Sequence, residues 1–78
     1  MKLRFIDGYA FTADTKQGAC EALWHSMRFS LYDTLSEWMT ANAGIMQNAF
    51  SVTLRSDSPE HHFDDMIKHR ILEKLTCF

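Results

Sequence analysis

Apolar and polar positions change rhythm four times along the chain. Over residues 2–12, Leu3, Phe5, Tyr9 and Phe11 share one parity while Lys2, Arg4 and Thr12 take the other. That two-residue repeat is the pattern of a strand with one buried side. Asp7-Gly8 interrupts it with a strong turn signal. A two-residue turn would set Phe5 opposite Ala10. A three-residue turn over Asp7, Gly8 and Tyr9 sets Phe5 opposite Phe11 and Leu3 opposite Ala13, but it puts tyrosine where such a loop normally carries its bulge glycine. A hairpin is the expectation, and one long strand bulged at Gly8 is the alternative.

Asp14 or Thr15 then offers a helix cap. Apolar residues follow at Cys20, Leu23, Trp24, Met27, Leu31, Leu35 and Trp38. At 100° per residue Trp24, Leu31, Leu35 and Trp38 fall within about 60° of one another. The spacing predicts one long helix, or two nearly collinear ones, over residues 16–40. Ser30 followed by Asp33 marks the expected break, and Gly44 the expected stop.

Residues 45–55 return to period two. Met46, Asn48, Phe50, Val52 and Leu54 point one way; Gln47, Ala49, Ser51, Thr53 and Arg55 point the other. This predicts an antiparallel strand with one side open to solvent, whose edge either another strand of the chain or a partner would cover. Ser58-Pro59 opens the final helix, with serine as cap and proline at the first helical position. Glu60, Asp64 and Asp65 suit its start, and Lys68, Arg70 and Lys74 its end. Phe63, Met66, Ile67, Ile71, Leu72, Leu75 and Phe78 supply its apolar stripe. The expected fold is α+β in the order β-β-α(α)-β-α. A small antiparallel sheet, made of the N-terminal hairpin or bulged strand plus one central strand, packs against a long helix and a C-terminal helix.

Length and composition narrow the use of such a body. Seventy-eight residues, 46% hydrophobic and 23% charged, suit a single domain over residues 1–78 with one core. A pocket of the usual ~300–1,000 Å³ would consume much of that core. The net charge of −2 and the lack of a basic block argue against a phosphate backbone as partner. Lys2 and Arg4 alone flank the Phe5, Tyr9 and Phe11 row, a thin basis for stacking single-stranded nucleic acid on the sheet. No run approaches the 18 or more apolar residues of a membrane span. Two widely separated cysteines, Cys20 and Cys77, and no signal-peptide layout lead to the expectation of a reducing, cytoplasmic setting.

Candidate chemistry is sparse. His61, Asp65 and His69 are spaced i, i+4, i+8, and His62 joins the same two at i, i+3, i+7. Three ligands along one straight helix converge poorly on a tetrahedral metal, and a fourth from His25 or Cys77 has no placement in the sequence. Asp64 and Asp65 are adjacent and diverge by about 100°, so they do not face one reacting bond. No glycine-rich phosphate loop, nucleophile elbow or CxxC occurs. No cofactor or metal is expected, and a small metal-dependent enzyme ranks last among the readings.

The long helical stretch carries a second stripe, His25, Phe29, Tyr32, Ser36 and Met39. It lies about 60–140° around from Trp24, where a surface helix needs only one apolar face. Burial under the last helix would explain it. The functional alternative makes these five residues a partner-binding face, since Tyr, Phe and Met are enriched where interfaces bury. The expectation is a non-enzymatic protein-binding module, such as an inhibitor or small accessory subunit of the kind mobile elements encode. A homo-oligomeric structural protein, with a homodimer as its simplest form, is the alternative. Because the core is aliphatic and aromatic, the chain is predicted to fold without metal. Its far-ultraviolet circular dichroism should be unchanged by a chelator, and loss of signal would contradict this.

Overall fold

The computed structural model describes residues 1–26 and 32–75. Six elements run in the order β1 (Lys2–Phe5), β2 (Ala10–Thr12), α1 (Lys16–Ser26), α2 (Leu35–Phe50), α3 (Pro59–Lys68) and β3 (Leu72–Lys74). The fold is α+β: a three-stranded antiparallel sheet, order β2-β1-β3, packed against the helices. Leu3 and Phe5 of β1 and Leu72 of β3 enter one core with Ala19, Cys20 and Leu23 of α1, Trp38, Met39 and Met46 of α2, and Phe63 and Met66 of α3. Lys2, Arg4, Ala10, Thr12 and Glu73 face solvent. Across that open face Arg4 pairs with Glu73 at 3.0 Å, an exposed contact of small energetic weight.

The hairpin forms with its pairing shifted by two residues from the expected register and its loop by one. Leu3 lies opposite Phe11 and Arg4 opposite Ala10, so the loop is Ile6-Asp7-Gly8. Gly8 donates to the Phe5 carbonyl at 2.9 Å, and Phe5 donates to the Tyr9 carbonyl at 2.8 Å. Gly8 has φ +96°, the left-handed position where a glycine bulge closes a three-residue loop. The shift resolves the objection to tyrosine at that position, because glycine occupies it.

Thr15 caps α1, accepting from the Gly18 N–H at 2.9 Å. The expected break at Ser30 lies outside the described residues. α1 ends at Ser26, Tyr32 to Thr34 are not helical, and Thr34 caps α2 by accepting from the Glu37 N–H at 3.1 Å. Helix then continues through Gly44 to Phe50.

The expected central strand over residues 45–55 is therefore not present. Its first half is helix, and residues 51–56 belong to no element and do not pair with the sheet. The alternation there is real: Leu54 is buried and Val52 half-buried, while Ser51, Thr53 and Arg55 are exposed. The third strand comes instead from the expected tail of the last helix. Ser58 and Pro59 start α3 as read, but Arg70 takes φ +61°. Ile71 donates back to the Met66 carbonyl at 2.8 Å and Arg70 to Ile67 at 3.2 Å. That is the Schellman closure, made here with arginine where glycine is usual. It turns Leu72–Lys74 back along β1.

Two glycines thus carry opposite expectations. A Cβ at either would meet nothing within 4 Å, but Gly8 has positive φ and Gly44 is helical. Gly44→Ala should raise stability by about 0.5–1 kcal/mol, and Gly8→Ala should lower it by about 1 kcal/mol or more. Urea titration of both variants checks the two signs.

Candidate functional site

The expected five-residue face is not assembled among the described residues. His25 is exposed at the end of α1, its ring stacked on Trp24 at 4.4 Å. Tyr32 is half-buried against the core, and its carbonyl accepts from Trp24 Nε1 at 3.0 Å. Ser36 is exposed in the first turn of α2, while Met39 is 3% exposed and belongs to the core. Phe29 lies outside the described residues. The physical reason is the break: α1 and α2 are separate helices, so one angular register does not span both.

The helical histidines also separate. His61 bonds Asp57 at 2.9 Å, His62 turns into the core, and His69 caps α3 by donating its backbone N–H to Asp65. Among the described residues no three His, Cys, Asp or Glu side chains are grouped to hold a metal ion. Cys20 is buried beside the Pro59 carbonyl, and burial pushes its thiol up to about 12, which suppresses thiolate chemistry. Cys77 lies outside the described residues. The aromatic row divides too. Phe5 is in the core, while Tyr9 and Phe11 stack on each other at 5.4 Å at the sheet edge. A cavity of about 260 Å³ between α3 and β3 is lined by Ile67, Arg70, Leu72, Glu73 and Lys74; it falls below the usual ligand-pocket range.

What the structure does assemble is a buried polar clamp around His62. Nδ1 lies 2.8 Å from the Arg55 carbonyl and Nε2 lies 3.0 Å from Asn42 Nδ2. A carbonyl oxygen only accepts, so His62 carries its proton on Nδ1 and accepts from Asn42 at Nε2. The Trp38 ring meets His62 edge-on at 5.5 Å. From the next turn of α3, Asp65 accepts from the Arg55 backbone N–H at 2.8 Å. It also takes the guanidinium as a fork, Nε and Nη2 each at 3.0 Å. Both backbone groups of Arg55 are thereby satisfied by α3 side chains, which pins a segment that pairs with no strand.

This clamp sets the end of α2. Ser51, in the left-handed conformation at φ 57°, stops the helix by donating to the Gln47 carbonyl at 3.0 Å. Thr53 reaches back to Gln47 Oε1 at 3.1 Å. At the other end of the segment Leu54 is buried and Arg55 is locked. The last turns of α2 therefore run past the core with their apolar side uncovered. Ile45 is 57% and Phe50 50% exposed; Ala49 is exposed, and Met46 closes the core behind them. Ile45 and Ala49 are i, i+4 neighbours and make one exposed strip, while Phe50 lies about 140° around the helix from Ile45, on the far side of buried Met46. No charged residue occurs between Glu37 and Arg55. That charge gap was readable in the sequence, as was the helix-favouring content of Ala41, Ala43 and Ala49; the period-two alternation of residues 45–55 obscured both.

Comparison with protein families, curated proteins and solved structures gives no match to this chain.

Acid should weaken the clamp in two steps. Burial holds His62 below its usual imidazole range, so its contribution to stability is complete above about pH 6.5 and is lost as pH falls below that value. The Arg55 fork holds Asp65 down at about 2, so its contribution is complete above ~3.8 and is lost between there and about 2. Unfolding free energy measured against pH should fall in both windows, and Asp65→Asn should remove the lower step. A flat profile below pH 6.5 would contradict the buried neutral imidazole.

Proposed function

We propose that this chain is a non-enzymatic protein-binding module that acts by laying the end of α2 against a larger protein, as an inhibitor or accessory subunit does. The observation that carries this reading is the exposure of Ile45 and Phe50, on two flanks of a helix that carries no charge from Trp38 to its end at Phe50. A solvated helix end ordinarily carries charge. Interface centres are depleted in charge and enriched in aromatic residues. The strip is also held in place before any partner arrives, by the Ser51 stop and the Arg55 clamp, which reduces the ordering that binding must accomplish. Asn48, i+3 from Ile45, and Gln47, i−3 from Phe50, are exposed uncharged polar neighbours, as in the rim of a contact.

α2 carries no lysine or arginine, so attraction to anionic lipid does not explain the strip. No described helix is long and apolar enough to cross a membrane. A soluble protein surface is the partner this chemistry fits.

Ile45→Glu and Phe50→Glu should leave thermal unfolding nearly unchanged, because both side chains are exposed. Each should weaken capture of the partner from native-host extract by roughly 30-fold or more, the size of a central contact. Lys2→Glu, on the open sheet face, should retain the same partner. An identical set of captured proteins with all three variants would contradict the reading.

A further inference from the structure

A different surface, made of different residues, points to a second kind of association. β2 is an outer strand of the sheet, bonded to β1 alone. In an antiparallel ladder successive residues alternate between facing the partner strand and facing away. Phe5 bonds to Tyr9 and Ala13 to Met1, which assigns Tyr9, Phe11 and Ala13 to β1. Ala10 and Thr12 therefore turn their N–H and C=O groups outward.

The two edges of this sheet are guarded differently. β3 carries Glu73 and Lys74, the charged residues that discourage another strand from adding. β2 reads Ala10-Phe11-Thr12, with neither charge nor proline. Beside it Tyr9 is 43% exposed, its ring stacked on Phe11.

We propose that the outer edge of β2 pairs antiparallel with β2 of a second copy of this chain, about a two-fold axis at Phe11, joining two three-stranded sheets into one. The register follows from the residues. An axis at Phe11 sets Ala10 opposite Thr12 of the other copy, twice, so all four outward-facing residues form hydrogen-bonded pairs. Phe11 then meets its own copy at the close, non-hydrogen-bonded spacing that favours aromatic cross-strand pairs. Tyr9 falls opposite Ala13, an aromatic ring against a small residue. Electrostatics permits it. On the open face the row across the seam reads Lys2, Thr12, then Ala10 and Arg4 of the second copy. The two cations are separated by three strand spacings of ~4.8 Å, or about 14 Å, beyond the ~8 Å screening length at physiological salt. A seam of about five residues is near 17 Å long and buries less than a standard interface, so the dimer is a weak one that forms with rising concentration.

Sedimentation equilibrium from about 10 μM to about 1 mM tests this. The expected result is a mass that climbs from 9.1 kDa toward twice that value. Thr12→Pro removes an outward N–H without touching the bonds to β1, a position where edge strands accept proline. It should keep the circular dichroism spectrum and stay at monomer mass. Amide exchange of Ala10 and Thr12 in the unaltered chain should slow as concentration rises, a readout that decides the matter if the proline variant does not fold. A wild-type chain that stays monomeric throughout, a Thr12→Pro variant that dimerises equally, or edge amides indifferent to concentration would overturn the proposal.

Discussion

The arrangement depends on one constraint: the chain between α2 and α3 has no strand beside it, yet it must hold Leu54 in the core. Where backbone is shielded from water, an unpaired N–H or carbonyl is costly. The chain meets that requirement at Arg55 with two α3 side chains three residues apart, on the same side of the helix. His62 donates to its carbonyl and Asp65 accepts from its N–H. Asn42 closes the other side of the imidazole, so α2, the extended segment and α3 meet at one buried ring. Among the described residues no buried side-chain nitrogen or oxygen lacks a partner.

The same constraint explains why α2 is left overhanging. Arg55 is fixed to α3 and the chain leaves α2 sharply at Ser51, with Ile45 and Phe50 left about half exposed. Ile45, Ala49 and Phe50, on the two flanks of buried Met46, leave apolar surface exposed on a rigid support. The proposed docking role rests on that combination. Flexibility would have weakened it; the Ser51 stop and the Thr53–Gln47 contact argue for a fixed shape.

Much of the fold was legible in the residues. The α+β class, the hairpin, the Thr15 and Ser58-Pro59 helix starts, and the inward parity of Val52 and Leu54 all follow from short-range rules. The failures share a physical cause. Both misjudged helix ends, Ser51 and Arg70, take left-handed backbone without glycine, so the residue that normally marks a stop was absent. Gly44, which looked like a stop, sits inside α2 instead. Asn42 hid the helical period of α2, because a buried polar residue reads as solvent-facing until its partner His62 is known. Helix there was favoured by Ala41, Ala43 and Ala49, and tertiary contacts outweighed the local alternation. The stripe drawn across Ser30 joined residues that the structure divides between α1 and α2, and the exposed apolar residues of α2 lie where a strand was expected.

The account stands most directly on the state of one imidazole. Nitrogen-15 chemical shifts of His62 in the folded chain at neutral pH report which ring nitrogen holds the proton. The clamp requires the Nδ1–H form with a slowly exchanging proton, since that proton bonds the Arg55 carbonyl. Shifts of an Nε2–H tautomer, or of a ring averaging between forms in water, would mean that the segment is not pinned to α3 and that the end of α2 is not held as described.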